Sequence, residues 1–595
     1  MEYKKGGSFL IEQTKPEEIQ IPENFDSEMK MFAKTARDFV DKEVNPLIDE
    51  IEKQNFEVLK DLMRKAGEKG LLMVDIPEKY EGMGLNKTSS TLVAEEIARS
   101  GSFAVAQGAH TGIGTLPIVY FGTEDQKKKY LPKLGSGEWV GAYCLTEPNS
   151  GSDALAAKTT AVLDETGNYY ILNGTKQFIT NGGIAESYIV FAQVDGDKFT
   201  GFIVDRSMEG LEIGPEEKKL GIKGSSTTQV ILNDVKVPKE NLLGEIGKGH
   251  LIAFNILNIG RFKLGAAAIG ASKLAMEESI KYAKQRFQFK MPIAAFGAIK
   301  EKIANMAVKI YGAESATYRT VGLIDEILEQ IDENDAEYNE KALKGIEEYA
   351  VECSVIKVYG SEVGDYCVDE NVQIHGGYGY SQEYPAERHY RDSKINLIFE
   401  GTNEINRLLI PGMLLRRAMK GELPLVQAAQ KLVDDLLSGE LMMQMMAEDE
   451  TEIDTLKRIV ENAKKMCLFV TGAAAQKFGK KLINEQELLM RGADMISETF
   501  VMESALLRAL AMLDKVGEKD AEIYLKLAKA AVYEGLENIH FWGRQALSAI
   551  EQGDMLRTQV TMLRKFTRFN PIDLIHLKRE IADYFMDKEE YVLYI

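Results

Sequence analysis

Apolar residues recur at helical spacing through the first part of the chain. The first such pattern follows the N-cap candidate Asp26 and contains Phe32, Ala36, Phe39 and Val40, before the break at Pro46. Two more run from Phe56 to Lys69 and from Ser89 to Arg99. We therefore expect a helical domain in this part of the chain.

From Tyr143 the pattern changes to short runs rich in β-branched and aromatic residues. These runs are Tyr169 to Gly174, Lys176 to Thr180, Tyr188 to Ala192, Gly201 to Val204 and Val230 to Leu232. Asn173-Gly174, at the end of the first run, is a strong signal for a hairpin turn. The pattern predicts a compact β domain inserted between two helical ones.

The helical period returns near His250 and continues to Tyr366, and a separate helical stretch follows Gly412. That stretch includes long helices from Ala493 to Leu513 and from Ala521 to Ala549, after a Met-rich, acidic connection from Leu441 to Glu452. The fold class is therefore mainly α with an inserted β domain. We divide the chain into an N-terminal arm (1–26), a helical domain (27–142), a β domain (143–247), a helical bundle (248–415) and a C-terminal helical extension (416–595).

The composition excludes some classes of partner and site but does not indicate a function. The hydrophobic share of 45% and the charged share of 28% are those of an ordinary globular protein. A net charge of −20 argues against a nucleic-acid partner, because phosphate contacts need clustered Lys and Arg. The four cysteines are scattered without a CxxC pair, so we expect no metal site, no disulfide framework and a reducing, cytoplasmic home. The first 22 residues lack the pattern of a signal or transit peptide, and no run of about 18 apolar residues predicts a membrane span.

Three segments carry the residue types of a cofactor site. Tyr143 to Ala154 combines a strand end with hydroxyls and an Asn-Ser-Gly-Ser turn, and Phe178 to Gly183 offers an aromatic wall and a hydroxyl. Gln373 to Tyr380 is a Gly-rich turn that a pyrophosphate could approach, although it lacks the GxGxxG spacing of a dinucleotide fold. Read alone, the first segment could equally be a well-capped loop.

A fourth segment, Phe399 to Arg407, places Glu400 between an aromatic residue and Gly-Thr. Burial raises the pKa of a carboxylate and makes it a better base near neutral pH, whereas a plain reading is a solvated loop acid. The small residues from Gln107 to Gly114 favour close helix packing, and the alternative is a cavity for a long apolar ligand. His110 within them is expected to be a structural histidine rather than a catalyst.

In this order, the segments resemble the acyl-CoA dehydrogenase family from Ser27 to about Met413. The extension, together with Ile256 to Phe262, further resembles the family's very-long-chain branch. The resemblance implies an α-helical domain, a β-barrel-like domain, a four-helix-bundle domain and a C-terminal helical domain. It also implies non-covalent FAD and a fatty acyl-CoA substrate, with Glu400 as the catalytic base that takes the α-proton while hydride leaves the β carbon for the flavin.

The same resemblance assigns the other site residues. Those expected to hold FAD are Tyr143, Leu145, Thr146, Ser152, Phe178, Thr180, Arg286, Gln288, Phe289, Gln373, Gly376, Gly377, Thr402 and Glu404, with Arg286, Gln288 and Phe289 reaching the FAD of a neighbouring subunit. Those expected near the thioester are Ser152, Asn258, Arg261, Phe399 and Gly401. Lys290 is a departure, since the family usually has Phe-Gly at 289–290.

The implied reaction is the dehydrogenation of long-chain acyl-CoA in fatty-acid β-oxidation, with electron-transfer flavoprotein as the acceptor. Two alternatives share the scaffold: an oxidase that uses oxygen, and a non-catalytic assembly or binding relative. The extension either replaces intersubunit contacts, giving a homodimer, or touches a membrane surface. The acidic balance after Gly421 disfavours anionic lipid, so the dimer is preferred and any membrane contact is at most peripheral.

Overall fold

The computed structural model describes residues 3–332, 334–438 and 451–593, so most of the connection expected from Leu441 to Glu452 lies outside the described residues. The prediction of a mainly α fold with an inserted β domain is confirmed. Helix α1 begins where the sequence predicts, because the Asp26 side chain accepts a hydrogen bond from the Met29 N–H at 2.8 Å.

Seven helices form the first domain. They are α1 (Ser27–Phe39), α2 (Ile48–Glu52), α3 (Phe56–Glu68), α4 (Lys87–Ile97), α5 (Ser102–Ala109), α6 (Leu116–Phe121) and α7 (Glu124–Gly135). A π-helical turn, His110–Gly114, separates α5 from α6. Such turns occur mostly as single bulges and frequently at functional sites.

The β domain is one twisted sheet. Its strands are β1 (Gly141–Cys144), β2 (Thr160–Leu163), β3 (Tyr169–Thr180), β4 (Ser187–Val194), β5 (Lys198–Asp205), β6 (Leu211–Ile213), β7 (Thr227–Pro238) and β8 (Leu242–Leu243). The order is β6-β7-β3-β2-β4-β5-β8, and β1 pairs with β4 in parallel. Tyr143 in β1 packs toward the helices, whereas its neighbours Ala142 and Cys144 lie in the core of the β domain.

The hairpin predicted at Asn173-Gly174 is wrong. Both residues lie inside β3, at an irregularity in its pairing with β7. The Asn173 side chain exchanges hydrogen bonds with Asp234 of β7 at 2.9 Å, so it holds a bulge rather than a turn. A Cβ at Gly174 would lie 2.4 Å from Thr159 Oγ1, and this close approach explains the glycine.

The helical bundle comes next, and a short β hairpin, β9 (Phe287–Gln288) and β10 (Met291–Pro292), lies between its first two helices. Its helices are α8 (Gly249–Gln285), α9 (Gly297–Leu328), α10 (Tyr338–Glu348), α11 (Ala350–His375), α12 (Ala386–Ser393) and α13 (Asn403–Met419). Helix α8 is long and apolar enough to span a membrane, but 67% of its most apolar window is buried inside the protein. It is the central helix of the core and packs against α11, α9 and α4.

The extension contributes α14 (Leu425–Ser438), α15 (Glu452–Phe478), α16 (Gln486–Val516), α17 (Glu518–Ile550), α18 (Gly553–Phe566) and α19 (Leu574–Lys588). Helix α16 packs against α9 and α13 of the bundle, so the extension and bundle share core residues. The N-terminal arm lies in the same cores through Phe9, Leu10, Ile19 and Ile21. Its Glu23 pairs with Arg508 of α16 at 2.5 Å, and both side chains are buried.

Candidate active site

The turn that joins α12 to α13 is the centre of the site, and we call Glu400–Thr402 the base turn. Glu400 has φ +57° and Gly401 has φ +81°. A left-handed conformation at a residue other than glycine costs on the order of 1 kcal/mol or more, and such residues cluster at functional sites. The strain at Glu400 therefore indicates that the surrounding structure imposes this conformation.

Asn406, one turn into α13, imposes it. Its buried side-chain amide donates to the carbonyl oxygens of Glu400, Gly401 and Thr402 at 3.4, 2.8 and 3.1 Å. The Thr402 hydroxyl caps α13 by accepting from the Ile405 N–H at 3.3 Å. The two side chains together fix the backbone from which the Glu400 carboxylate projects.

The carboxylate of Glu400 rests on Gly260 of α8. A Cβ at position 260 would lie 2.7 Å from Oε2 and 2.9 Å from Cδ of Glu400, so the glycine leaves the room that the carboxylate occupies. Oε2 is buried and has no hydrogen-bond partner among the described residues. This burial raises the pKa of Glu400 to about 7, although the cations Arg261 and Lys357 pull it down.

Glu400 and Phe399 line a cavity of about 210 Å³ that extends between α4, α5 and α8. Along α8 it is lined by Gly260, Leu264, Ala267, Ala271 and Leu274. These positions follow one helix face over 14 residues, or about 21 Å at the α-helical rise. The cavity is thus a long channel, mostly apolar, with a carboxylate of raised pKa near one end.

The segment from Gln107 to Gly114 serves both of the roles considered from the sequence. Gly108 and Gly112 line the channel, and a Cβ at either would meet no atom within 4 Å. Gly114 instead packs against the Gly141 backbone, where a Cβ would lie 2.8 Å from the carbonyl carbon. His110 is structural, as predicted: its Nε2 bonds to the Leu134 carbonyl oxygen, and its Nδ1 accepts from the Gly141 N–H, both at 3.0 Å.

Several predicted cofactor residues lie in the β domain, and one of them reaches the channel. Thr180 lines the channel, and the ring of Phe178 is 62% exposed at an irregularity of β3 where its φ is +57°. Leu145 and Thr146 are half-buried at the end of β1, and Thr146 O accepts from the Gln177 N–H at 2.9 Å. Ser152 is exposed in the loop that follows. An exposed ring beside hydroxyl and backbone groups fits a planar ligand such as a flavin.

Tyr143 stands slightly apart from this group. Its ring packs edge-on against Phe191 at 5.2 Å between centroids, and its buried hydroxyl has no hydrogen-bond partner among the described residues. Burial, together with the negative charge of Glu400, raises the pKa of Tyr143 well above its ordinary value. The Tyr143 hydroxyl therefore lies close enough to Glu400 for the two groups to interact electrostatically.

Four of the five predicted thioester residues, all except Ser152, lie at or beside the base turn. Arg261 is buried and donates to Asn258 Oδ1 at 2.9 Å, and its Nη2 lies 4.0 Å from where a Cβ of Gly401 would be. Within the described part of the chain, no acceptor takes the backbone N–H of Glu400. That donor and the Arg261 guanidinium can therefore both face a polar group of a ligand next to Glu400.

A second depression, of about 520 Å³, collects another predicted set. Arg286, Gln288, Gly376 and Gly377 line it, and the Arg286 guanidinium lies 5.6 Å from the centre of the Tyr378 ring. A Cβ at either glycine would meet no atom within 4 Å, so the backbone is open to a phosphate. Exposed Gln373 precedes this turn on α11, and Phe289 is exposed at the neighbouring hairpin. The Arg286 cation, the Gln288 amide and the open glycine backbone are suited to binding the phosphates of a nucleotide.

Thr402 and exposed Glu404 do not join that second set. Asn403 contacts α11 at Lys357 and Ser361, whereas Gly376 follows the end of α11, so the two places are roughly 23 to 29 Å apart along the helix. At Lys290 the hairpin keeps the shape that a glycine would favour. Phe289 and Lys290 have φ +51° and +68°, the left-handed pair of a type I′ turn.

Sequence reasoning missed Gly260, Lys357 and Asn406. Lys357 of α11 is fully buried, donates to Asn403 Oδ1 at 2.7 Å, and faces Glu400. Asn406 lies within the segment singled out from the sequence, but its role depends on the turn geometry. Neither Gly260 nor Lys357 belongs to a local pattern that could have revealed its contact with Glu400.

Comparison with known proteins matches almost every part of the chain. The acyl-CoA dehydrogenase N-terminal, middle and C-terminal domain families match residues 26–138, 142–235 and 247–415, and a further C-terminal domain family matches 462–565. A probable acyl-CoA dehydrogenase of Bacillus subtilis is 52% identical over 99% of both chains. The crystal structure of an acyl-CoA dehydrogenase complexed with FAD from Bacillus anthracis matches with a TM-score of 0.96 at 52% identity, covering 99% of this chain and 100% of that one.

More distant relatives differ in what their names describe. The mitochondrial very long-chain specific acyl-CoA dehydrogenase of Bos taurus is 35% identical over 79% of this chain and 72% of its own length. The CarC subunit of the caffeyl-CoA reductase-Etf complex of Acetobacterium woodii is 38% identical over 66% of this chain and 100% of its own.

Proposed function

The chain belongs to the acyl-CoA dehydrogenase family of FAD-dependent enzymes, and from that premise we propose that it dehydrogenates long-chain acyl-CoA thioesters between the α and β carbons. The observation that carries the proposal is the Glu400 carboxylate, buried on Gly260 beside a long apolar channel. A base of raised pKa next to room for an acyl chain is what α-proton removal requires.

Each residue of the site has its own role in the proposed reaction. The carboxylate of Glu400 takes the proton from the α carbon. The Glu400 N–H donates to the thioester oxygen, where negative charge develops as the proton leaves. Arg261 and Asn258 hold the polar end of the substrate, and the channel walls exclude water from the acyl chain. The flavin, when bound, supplies the acceptor for the hydride from the β carbon.

The rate of the reaction should depend on pH through the ionisation of Glu400. Glu400 acts as a base only when ionised, and its pKa is raised to about 7. The rate should therefore be nearly constant above pH 8 and fall about tenfold per pH unit well below pH 7. A pH profile of kcat/KM with a saturating artificial electron acceptor measures this. A flat profile down to pH 5 would contradict the role of Glu400 as a base of raised pKa.

Chain length follows from the depth of the channel. Its face along α8 extends about 21 Å, whereas one leaflet of a bilayer, a single acyl chain deep, is about 15 Å thick. The channel is therefore long enough for a chain of ordinary membrane-lipid length, and we expect turnover to rise from C4 through C8 to C16 acyl-CoA. Best turnover on C4 would refute long-chain specificity.

A variant that shortens the channel tests the same dependence on chain length. Gly108→Leu adds a side chain where no protein atom lies within 4 Å of the new Cβ, so the first carbon fits and the rest of the side chain can extend into the channel. We expect kcat/KM for C16 acyl-CoA to fall about tenfold or more while that for C4 stays within twofold. Equal losses for both substrates would show that position 108 does not set the depth of the channel.

The electron acceptor is a second part of the proposal. We propose electron-transfer flavoprotein, because a relative 38% identical over 66% of this chain is named as a subunit of an Etf complex. Anaerobic addition of C16 acyl-CoA to the flavin-loaded enzyme should bleach the flavin, and purified electron-transfer flavoprotein should restore its colour. Peroxide formed at the rate of substrate oxidation in air would instead favour an oxidase. A flavin that does not bleach would favour a non-catalytic relative.

We further propose that the enzyme is a cytoplasmic homodimer of fatty-acid β-oxidation. The two groups of cofactor residues are roughly 23 to 29 Å apart along α11 on one chain, and a second copy that brings its Arg286 group to the base turn would complete the site. All four cysteines are buried and unpaired, which suits a reducing compartment. Sedimentation of the flavin-loaded protein tests the dimer, and cell fractionation tests the compartment.

A further inference from the structure

The base turn is connected to the C-terminal extension by a continuous chain of charged hydrogen bonds. It begins at Asn403, the residue that follows the base turn and the first of α13. The buried Asn403 side chain accepts from Lys357 Nζ at 2.7 Å and donates to Glu362 Oε1 at 3.2 Å, both on α11. The turn that carries Glu400 is therefore tied to one face of α11.

Arg407 extends the chain from α11 to the extension. Its two terminal nitrogens bind both oxygens of Glu362, at 2.7 and 2.8 Å, while its Nε donates to Asp494 Oδ1 at 2.6 Å. Asp494 lies on α16 and is only 7% exposed. A planar guanidinium bound on two sides by carboxylates has little freedom to rotate, so α16 fixes the position of the first turns of α13.

We propose that Asp494 is a positioning residue for the catalytic base, so that the C-terminal extension forms part of the catalytic unit rather than only a surface for assembly. Asp494 holds Arg407, Arg407 and Glu362 hold Asn403 and the start of α13, and Asn406 on the same helix clamps the carbonyls of the base turn. The proposal rests on the proposed function, in which Glu400 is the base.

The same chain also sets the charges around Glu400. Arg261 from α8 and Lys357 from α11 are the cations that lower its pKa, and Tyr143 from β1 faces it as a neutral phenol. Lys357 is itself surrounded by Glu400, Arg261, Glu404 and Glu362. If Asn403 shifts, the Lys357 ammonium loses its hydrogen-bond acceptor beside the base, and the ionised form of Glu400 becomes less favourable.

The test replaces Asp494 by asparagine in the full-length, flavin-loaded enzyme. D494N keeps the shape of the side chain but removes the charge that holds Arg407. We expect kcat for C16 acyl-CoA at pH 8 to fall about tenfold, KM to stay within twofold, and the acidic limb of the pH profile to move to higher pH. Flavin content should stay at the wild-type level.

The chain offers a matched control on the same helix. Glu503 of α16 is buried to a similar extent and pairs with Arg319 at 2.8 Å and Lys464 at 2.6 Å, away from the base turn. E503Q should lower the melting temperature as much as D494N does but leave kcat and the pH profile unchanged. An equal loss of kcat in both variants, or a wild-type kcat and pH profile in D494N, would overturn the proposal.

A further variant and a further measurement distinguish loss of positioning from unfolding and from failure of the proposed function. D494E keeps the carboxylate, so it should fold and show an intermediate kcat. Hydrogen exchange of the peptide covering residues 399–407 needs no substrate, and it should accelerate at least tenfold in D494N but not in E503Q. Unchanged exchange would overturn the positioning role whether or not the wild-type enzyme dehydrogenates acyl-CoA.

Discussion

Replacing Glu400 by glutamine should abolish nearly all acyl-CoA dehydrogenation while leaving the flavin bound. Glutamine has the size of the ionised glutamate but cannot accept the α-proton. Loss of a positioned general base costs typically 10²- to 10⁴-fold, and we expect at least about 10³-fold because Glu400 Oε2 is buried with no hydrogen-bonded group among the described residues that could take its place. Flavin content follows from the absorption spectrum, and kcat from reduction of an artificial acceptor.

A buried carboxyl elsewhere provides the control for this experiment. Burial also raises the pKa of Glu498 on α16 to about 7, but this residue lies near Lys309 and Asn538 rather than at the channel. Glu498→Gln should therefore leave kcat within twofold of the wild type. If Glu400→Gln kept more than a few per cent of the activity, another group would have to be the base, and the mechanism would be wrong.

The sequence predicted the positions of the helices better than their contacts. Capping residues and apolar periods located both ends of α3 and α4 to within two residues, since these signals are local. They also located the start of α1, although this helix ends at Phe39, before the predicted break at Pro46. The 37 residues of α8 are apolar on nearly all sides, so periodicity could not reveal which face lines the channel. The N-terminal arm reads as polar and mixed, yet its few apolar residues are buried between the bundle and the extension.

The base itself could be predicted, but the residues that make it a base could not. Glu400 lies in a motif in which an aromatic residue, a glycine and a threonine surround it in sequence. Gly260 lies 140 positions earlier, and Lys357 and Asp494 lie on two other helices. Their effect on Glu400 depends on how four helices pack, and no local pattern in the sequence reveals that packing. The wrong hairpin prediction at Asn173-Gly174 has the same cause, because Asp234 on another strand holds Asn173 in a bulge.

Replacing Gly260 by alanine should also slow catalysis strongly, although it adds only one methyl group. That methyl would lie 2.7 Å from Oε2 and 2.9 Å from Cδ of Glu400. Helix α8 is buried in the core and cannot move aside, so the carboxylate must be displaced. A displacement of about 1 Å costs on the order of 10²-fold in rate, and we expect that loss in kcat.

Gly412→Ala separates this clash from the general effect of a glycine-to-alanine change in a helix. Gly412 lies in α13, and a Cβ there would meet no atom within 4 Å. Alanine favours helices, so this control should keep full activity and gain slightly in melting temperature. A Gly260→Ala enzyme as active as this control would show that the carboxylate of Glu400 does not rest on α8.

The cause of the loss can be established with a double-mutant cycle. Glu400→Asp withdraws the carboxylate by one methylene, which leaves room for the new methyl at position 260 at the expense of reach toward the substrate. If the clash with the carboxylate is the whole effect, Gly260→Ala should cost less than about threefold in the Glu400→Asp background, against about 100-fold alone. Additive losses would mean that Gly260 acts on catalysis by another route, such as the shape of the channel.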